Sequence, residues 1–122
     1  MIMVRAIIRP EKTDDVLASL MEAGFPAVTK MDVYGRGKQR GMKIGEVTYD
    51  ELPKEMIFTV IKEKDKDYVV KVIMQAARTG AKGAFGDGKI FISPVDDVYT
   101  VSSGRKEVEE AAAAPVAAGV PA

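Results

Sequence analysis

The chain has no cysteine and no histidine. Without cysteine there is no disulfide, no zinc–thiolate site and no thiol nucleophile. Without histidine the commonest general base and the commonest metal ligand are also missing, which weighs against an enzyme. There is no excess of charge of either sign: 18 basic and 18 acidic side chains cancel. A protein that works mainly on nucleic acid or on an anionic membrane surface usually carries a basic excess. No apolar run reaches membrane-spanning length, and the N-terminus lacks the layout of a signal peptide. The expectation is a soluble cytoplasmic protein.

What is present is an ordinary globular composition, 47% apolar and 30% charged over 122 residues. That is enough for one two-layer core. The stretch that stands out is 35–54, GRGKQRGMKIGEVTYDELPK, with four glycines and the cations Arg36, Lys38, Arg40 and Lys43. It lies between two strand-like segments, and a long irregular connection in so short a chain is generally functional or disordered. Glycines let backbone N–H groups approach a ligand, and cations suit an anion. The stretch reads as a ligand-responsive arm.

The chain begins with a strand over 1–9, with Ile2, Val4, Ala6 and Ile8 on one face and Met3, Arg5, Ile7 and Arg9 on the other. Pro10 opens a helix whose apolar stripe is Val16, Leu17, Leu20 and Met21. Gly24 stops it, and Pro26 blocks continuation. A half-buried strand follows over 27–34, then the arm, then a third strand over 56–61 that is apolar enough to be central and covered on both faces. A charged turn over 62–66 leads to a second helix, which Asp65 or Asp67 can cap and which packs through Val69, Val70, Ile73, Ala76 and Ala77. The glycine-rich run TGAKGAFGDGK, 79–89, precedes a fourth strand at 90–92. Residues 98–101 suit a short edge strand. From 105 the composition shifts, so 1–104 is read as the domain and 105–122 as a flexible or partly helical tail.

The order β-α-β-β-α-β predicts an α+β ferredoxin-like sandwich, an antiparallel sheet with both helices on one face. The opposite face, holding Ile7, Val28 and Met56 or Ile57, wants covering, which predicts an oligomer.

Two glycine-and-cation stretches carry the chemistry, GRGKQRG at 35–41 and GDGK at 86–89. Neither is a Walker loop nor a dinucleotide fingerprint. Taken singly, a GDG is as readily a tight turn. Together, two anion-suited loops leading into one small sheet point to a ligand bearing phosphate. They are expected to meet across a subunit boundary and enclose it.

AIIRPEK at the start, GRGKQRG, LPK after the arm, and TG…GDGKIF together resemble the PII signal-transduction family over residues 1–104, and within it the NifI branch that regulates nitrogenase. The resemblance implies a homotrimer with ATP or ADP in clefts between subunits, and 2-oxoglutarate beside ATP and Mg²⁺ at the base of the arm. Ile7, Thr29, Gly35, Gly37, Lys38 and Gln39 match nucleotide-side positions, and Gly86, Asp87, Gly88 and Lys89 match the phosphate loop. Gln39 matches the Mg²⁺ ligand; Gln39, Arg40, Gly41 and Lys54 match the 2-oxoglutarate site. Met42, Lys43, Ile44, Val47 and Tyr49 lie in the partner-binding part of the arm.

Three features depart from the family pattern. AKGAF between Gly80 and Gly86 is three residues longer than usual, with Lys82 a candidate extra contact. Thr100 and Ser102 stand where two phosphate-clamping arginines are usual, so that Arg105 or Lys106 substitutes only if the tail folds back. Tyr49 is no clean counterpart of the tyrosine modified in some relatives. The implied function is a non-catalytic sensor, without machinery for hydrolysis, that controls nitrogenase through its arm alongside a second PII-like subunit. Control of an ammonium transporter or a biosynthetic enzyme is the alternative within the family. An RNA-binding ferredoxin-like domain is the alternative of another class; it needs aromatics on the sheet face.

Overall fold

The computed structural model describes residues 1–36, 42–44, 47–49 and 51–108, with side chains for 1–36 and 51–108. The elements are β1 (Ile2–Ile8), α1 (Thr13–Glu22), β2 (Thr29–Gly35), β3 (Met42–Ile44), β4 (Val47–Tyr49), β5 (Leu52–Ile61), α2 (Lys66–Ala77) and β6 (Gly88–Pro94). Four strands form an antiparallel sheet in the order β2-β5-β1-β6. The ferredoxin-like arrangement is therefore present, with two central strands that are distant in sequence.

Strict alternation in β1 sets the layers. Ile2, Val4, Ala6 and Ile8 are buried. Their register partners continue the same face on β5, through Ile57, Thr59 and Ile61. The helices cover that face with Val16 and Leu20 from α1 and Val69, Ile73 and Ala77 from α2. Gly24 ends α1 at φ +98°, with the Gly24 N–H donating to the Met21 carbonyl and the Phe25 N–H to the Leu20 carbonyl. This double bond pattern seats Phe25 in the core beside Leu20.

Several side chains sit elsewhere than the pattern suggests. Met21 is 63% exposed, because it lies one step around the helix from Leu20, on the rim of the stripe; Phe25 takes the core position instead. Ile57 and Val28 belong to the helix-covered side, leaving Ile7 and Met56 on the open face. β5 is central, but only its helix-facing side is fully buried, since both helices lie on one side of the sheet. β2 is an edge strand and mostly exposed rather than half-buried. Asp65 precedes α2 without a side-chain capping bond.

The arm is more regular than a loop. β2 continues to Gly35 and β5 begins at Leu52, so the arm's root is a two-stranded extension of the sheet in which Gly35 faces Leu52. Beyond it β3 and β4 pair as a separate short hairpin. Residues 98–101 form no strand. Tyr99 makes an isolated bridge to Lys106, and the Glu107 N–H donates to the Val98 carbonyl, so the chain folds back at 98–107. The tail beyond 108 lies outside the described residues.

Candidate functional site

The antiparallel order brings three chain segments to one end of the sheet. Ile8, the last residue of β1, faces Glu55 near the start of β5 and Gly88 at the start of β6. The root of the arm and the second glycine loop therefore meet at the C-terminal end of β1, within a single chain. The expected meeting across a subunit boundary was between GRGKQRG, 35–41, and GDGK, 86–89; residues 37–41 lie outside the described residues, and the meeting seen here is made by the arm root through Lys54.

Asp87 organises the second loop. Its carboxylate accepts the Thr79 N–H at 3.0 Å, the Thr79 hydroxyl at 2.6 Å and the Ala84 N–H at 2.8 Å. The Arg9 guanidinium pairs with it at 3.0 Å and also donates to the Phe85 carbonyl at 2.7 Å. Partial burial alone would raise the Asp87 pKa; the bonds from Thr79, Ala84 and Arg9 outweigh this and hold the carboxyl well below the usual carboxylate range. The residues that lengthen this loop are thus closed around an internal anion, and the negative charge is neutralised before any ligand arrives. Gly88, at φ +117°, is pressed so close to β1 that an added Cβ would lie 1.8 Å from the Ile7 carbonyl oxygen.

Lys54, on β5, donates to the Gly86 carbonyl. Burial and the nearby Arg9 charge lower its pKa, with Glu11 and Asp87 opposing. On the open face, Ile7 is in register with Met56 on one side and Lys89 on the other. The described cations Arg9, Lys54 and Lys89 therefore gather at one end of the sheet, around backbone rich in glycine. Such a place suits an anion.

Of the sequence-derived site residues, Ile7, Lys54, Gly86, Asp87, Gly88 and Lys89 come together here. Gly35 closes β2 beside Lys54, whose Cγ would lie 3.5 Å from an added Cβ. Thr29 is at the other end of β2, opposite Phe58 and two strands from β1, and is apart from the cluster within one chain. Gly37, Lys38, Gln39, Arg40 and Gly41 lie outside the described residues. Met42, Lys43, Ile44, Val47 and Tyr49 form the backbone of the β3–β4 hairpin. Arg9 was missed. Its signal was its position at the end of a strand just before Pro10, but nothing in the sequence pairs it with Asp87, 78 residues away.

The C-terminal fold-back is present, but it neutralises itself. Lys106 pairs with Asp97 at 3.3 Å, and the Thr100 hydroxyl donates to Glu107 at 3.1 Å. Arg105 is exposed.

The family model for nitrogen regulatory protein P-II matches residues 1–105. The chain belongs to the P-II family. Among its curated relatives, a nitrogen fixation nifHD region GlnB-like protein 1 of Methanothermobacter marburgensis is 54% identical over 99 residues, covering 81% of this chain and 91% of that protein. A protein of the same description from Methanothermococcus thermolithotrophicus is 49% identical over 103 residues, covering 84% and 95%. The nitrogen regulatory protein P-II of a Synechocystis strain is 44% identical over 110 residues, covering 87% and 96%. P-II membership makes this chain a nitrogen regulator rather than an enzyme. No helix among the described residues is long and apolar enough to cross a membrane.

Proposed function

We propose that this P-II protein is a cytoplasmic sensor that binds ATP or ADP and, beside Mg·ATP, 2-oxoglutarate, and that its arm then holds or releases a target, nitrogenase. The observation that carries this reading is the meeting of the arm root with the second glycine loop at one cationic end of the sheet. A ligand there touches the segment that moves and the segment that binds phosphate. Glycine backbone at 86–88 and the Lys89 ammonium suit the phosphates, and the Lys54 ammonium suits a carboxylate. Mg²⁺ would be held by phosphate oxygens together with the Gln39 amide oxygen, a hard donor set that suits it. The nifHD descriptions of the relatives support nitrogenase over an ammonium transporter or biosynthetic enzyme as the target.

The open sheet face supports an oligomer, which this reading takes to be a homotrimer. Ile7, Met31, Met56, Phe58 and Phe91 share it, with Met31 and Phe91 each 45% exposed. Such an area wants covering. A mixed oligomer with a second PII-like subunit would use the same face. Phe58 and Phe91 flank Arg5 in register, the kind of placement an RNA-binding sheet uses, and this keeps RNA binding as the second reading.

Calorimetry separates the readings. The sensor binds Mg·ATP, and 2-oxoglutarate binds more tightly once nucleotide is present; Lys54→Ala keeps nucleotide and loses 2-oxoglutarate. Absence of synergy between the two ligands, with binding to single-stranded RNA, reverses the order of the readings.

A further inference from the structure

Behind the second glycine loop, on the helix-covered side of the sheet, lies a pocket of about 300 Å³. Its floor is apolar, made by Ile8 of β1, Ile73 and Ala77 of α2 and Ile90 of β6, with Met74 at its side. The gap has a cause in the chain. α2 packs over β1, and β6 is the edge strand beyond it. The residues that would fill the space between them are small. Ala77 closes α2, and Gly88, in register with Ile8, opens β6 with no side chain. Interiors normally hold few voids larger than a water molecule, and an apolar floor gives water nothing to bond. A volume at the lower end of the ~300–1,000 Å³ typical of ligand pockets suits a small guest.

The rim sets the guest's charge. Arg78 follows α2 and is exposed, with its stem against the second glycine loop: its Cγ and Cδ lie 3.3 and 3.7 Å from where a Cβ on Gly83 would stand. Its guanidinium makes no ion pair or side-chain hydrogen bond among the described residues. Asp87, the carboxylate among the lining residues, is already occupied by Thr79, Ala84 and Arg9. Lys89 also borders the pocket, but its register partner is Ile7, on the open face. The last carbonyls of α2 carry partial negative charge, so an anionic head is held at Arg78 and not at the helix end.

We propose that this pocket is a ligand site separate from the cationic end of the sheet, with which it shares only residues 87–89, and that it takes a small amphipathic acid. The apolar chain lies on Ile8, Ile73 and Ile90, and the anionic head meets the Arg78 fork. The site does not depend on the sensor reading. It lies on the opposite side of the sheet from the open face, so an oligomer formed through that face leaves it accessible.

The probe is octanoate, followed on the full chain through the isoleucine δ1-methyl resonances. Saturable shifts are expected at Ile8, Ile73 and Ile90. Ile2 and Ile61, at the far end of the sheet, and Ile7, on the open face, should not move. Octylammonium, with the same chain and the opposite charge, should bind much more weakly. Arg78→Met should weaken octanoate by about fivefold, the upper end of what an exposed charge pair is worth, and leave 1-octanol binding unchanged. Ala77→Leu fills the floor and should abolish both, with circular dichroism checking that the helices are kept. No saturable shift in wild type overturns the site, as does a folded Ala77→Leu that binds like wild type. Shifts led by Ile7 overturn its location and put octanoate on the open face. Equal binding of octylammonium, or full octanoate affinity in Arg78→Met, overturns the anionic head at Arg78.

Discussion

Replacing Gly88 by alanine separates the two things a glycine can do in this loop. At Gly88 φ is +117°, and the new Cβ would fall 1.8 Å from the Ile7 carbonyl oxygen and 2.8 Å from its carbon. These are backbone atoms of a central strand, so no side chain can swing aside. An alanine held at such a φ costs on the order of 1–3 kcal/mol. Relieving the clash means parting the start of β6 from the end of β1, at about 1 kcal/mol for each ladder hydrogen bond lost. The sum is about 3 kcal/mol or more, a large fraction of the ~5–15 kcal/mol that holds a domain folded. For a domain near this size, about 4 °C of Tm goes with each kcal/mol, so Tm should fall by about 12 °C. Gly80 is the control. Its φ is +65°, but nothing lies within 4 Å of an added Cβ. Gly80→Ala pays only the left-handed backbone term, about 1–2 kcal/mol. The assay is thermal denaturation followed by circular dichroism, at one protein concentration so that any assembly contributes equally. Equal Tm values for the two variants would refute the reasoning, because they would mean that close approach to Ile7 carries no weight.

Asp87→Asn should cost about 1.5–3 kcal/mol at pH 7, through loss of the charge-assisted bonds from Arg9 and Thr79. The folded-state pKa of Asp87 is depressed, so its stabilisation is complete above the ordinary carboxylate value and is lost as pH falls toward the folded one. The Tm gap between wild type and Asp87→Asn should hold steady from neutral pH to about pH 4 and narrow below it; a gap unchanged at pH 2 would contradict this. Leu20→Ala should cost about 2–5 kcal/mol, whereas Met21→Ala, at a mostly exposed position, should stay within about 0.5 kcal/mol; urea midpoints decide. Met56→Lys on the open sheet face should shift the protein toward monomers in light scattering while the helix signal in circular dichroism is kept; an unchanged mass would move the oligomer contact elsewhere.

Much of this protein was legible in its sequence, because much of it is periodic. Period-two alternation fixed which face of β1 is buried, and period near four placed Val16, Leu20, Val69 and Ile73 in the core. These are local consequences of strand and helix geometry, so a linear string carries them. Gly24 and Pro26 punctuated α1 for the same reason. The motif set GRGKQRG, LPK and GDGKIF pointed to the family.

The tertiary structure alone decided which segments became neighbours. That Ile57 faces the helices and Met56 does not is a matter of register with β1, which depends on pairing between strands about fifty residues apart. β2 alternates as an internal strand would, yet it lies at an edge, since alternation reports on a strand's faces and says nothing of its flanks. Arg9 reads in the sequence as a charge at a strand's end. It becomes the partner of Asp87 only because β1 is laid between β5 and β6, and the same placement delivers Lys54 to Gly86. Chain order states which residue types exist. Strand order determines which of their charges come close enough to act on one another, because an ion pair or hydrogen bond depends on separation in space and not along the chain.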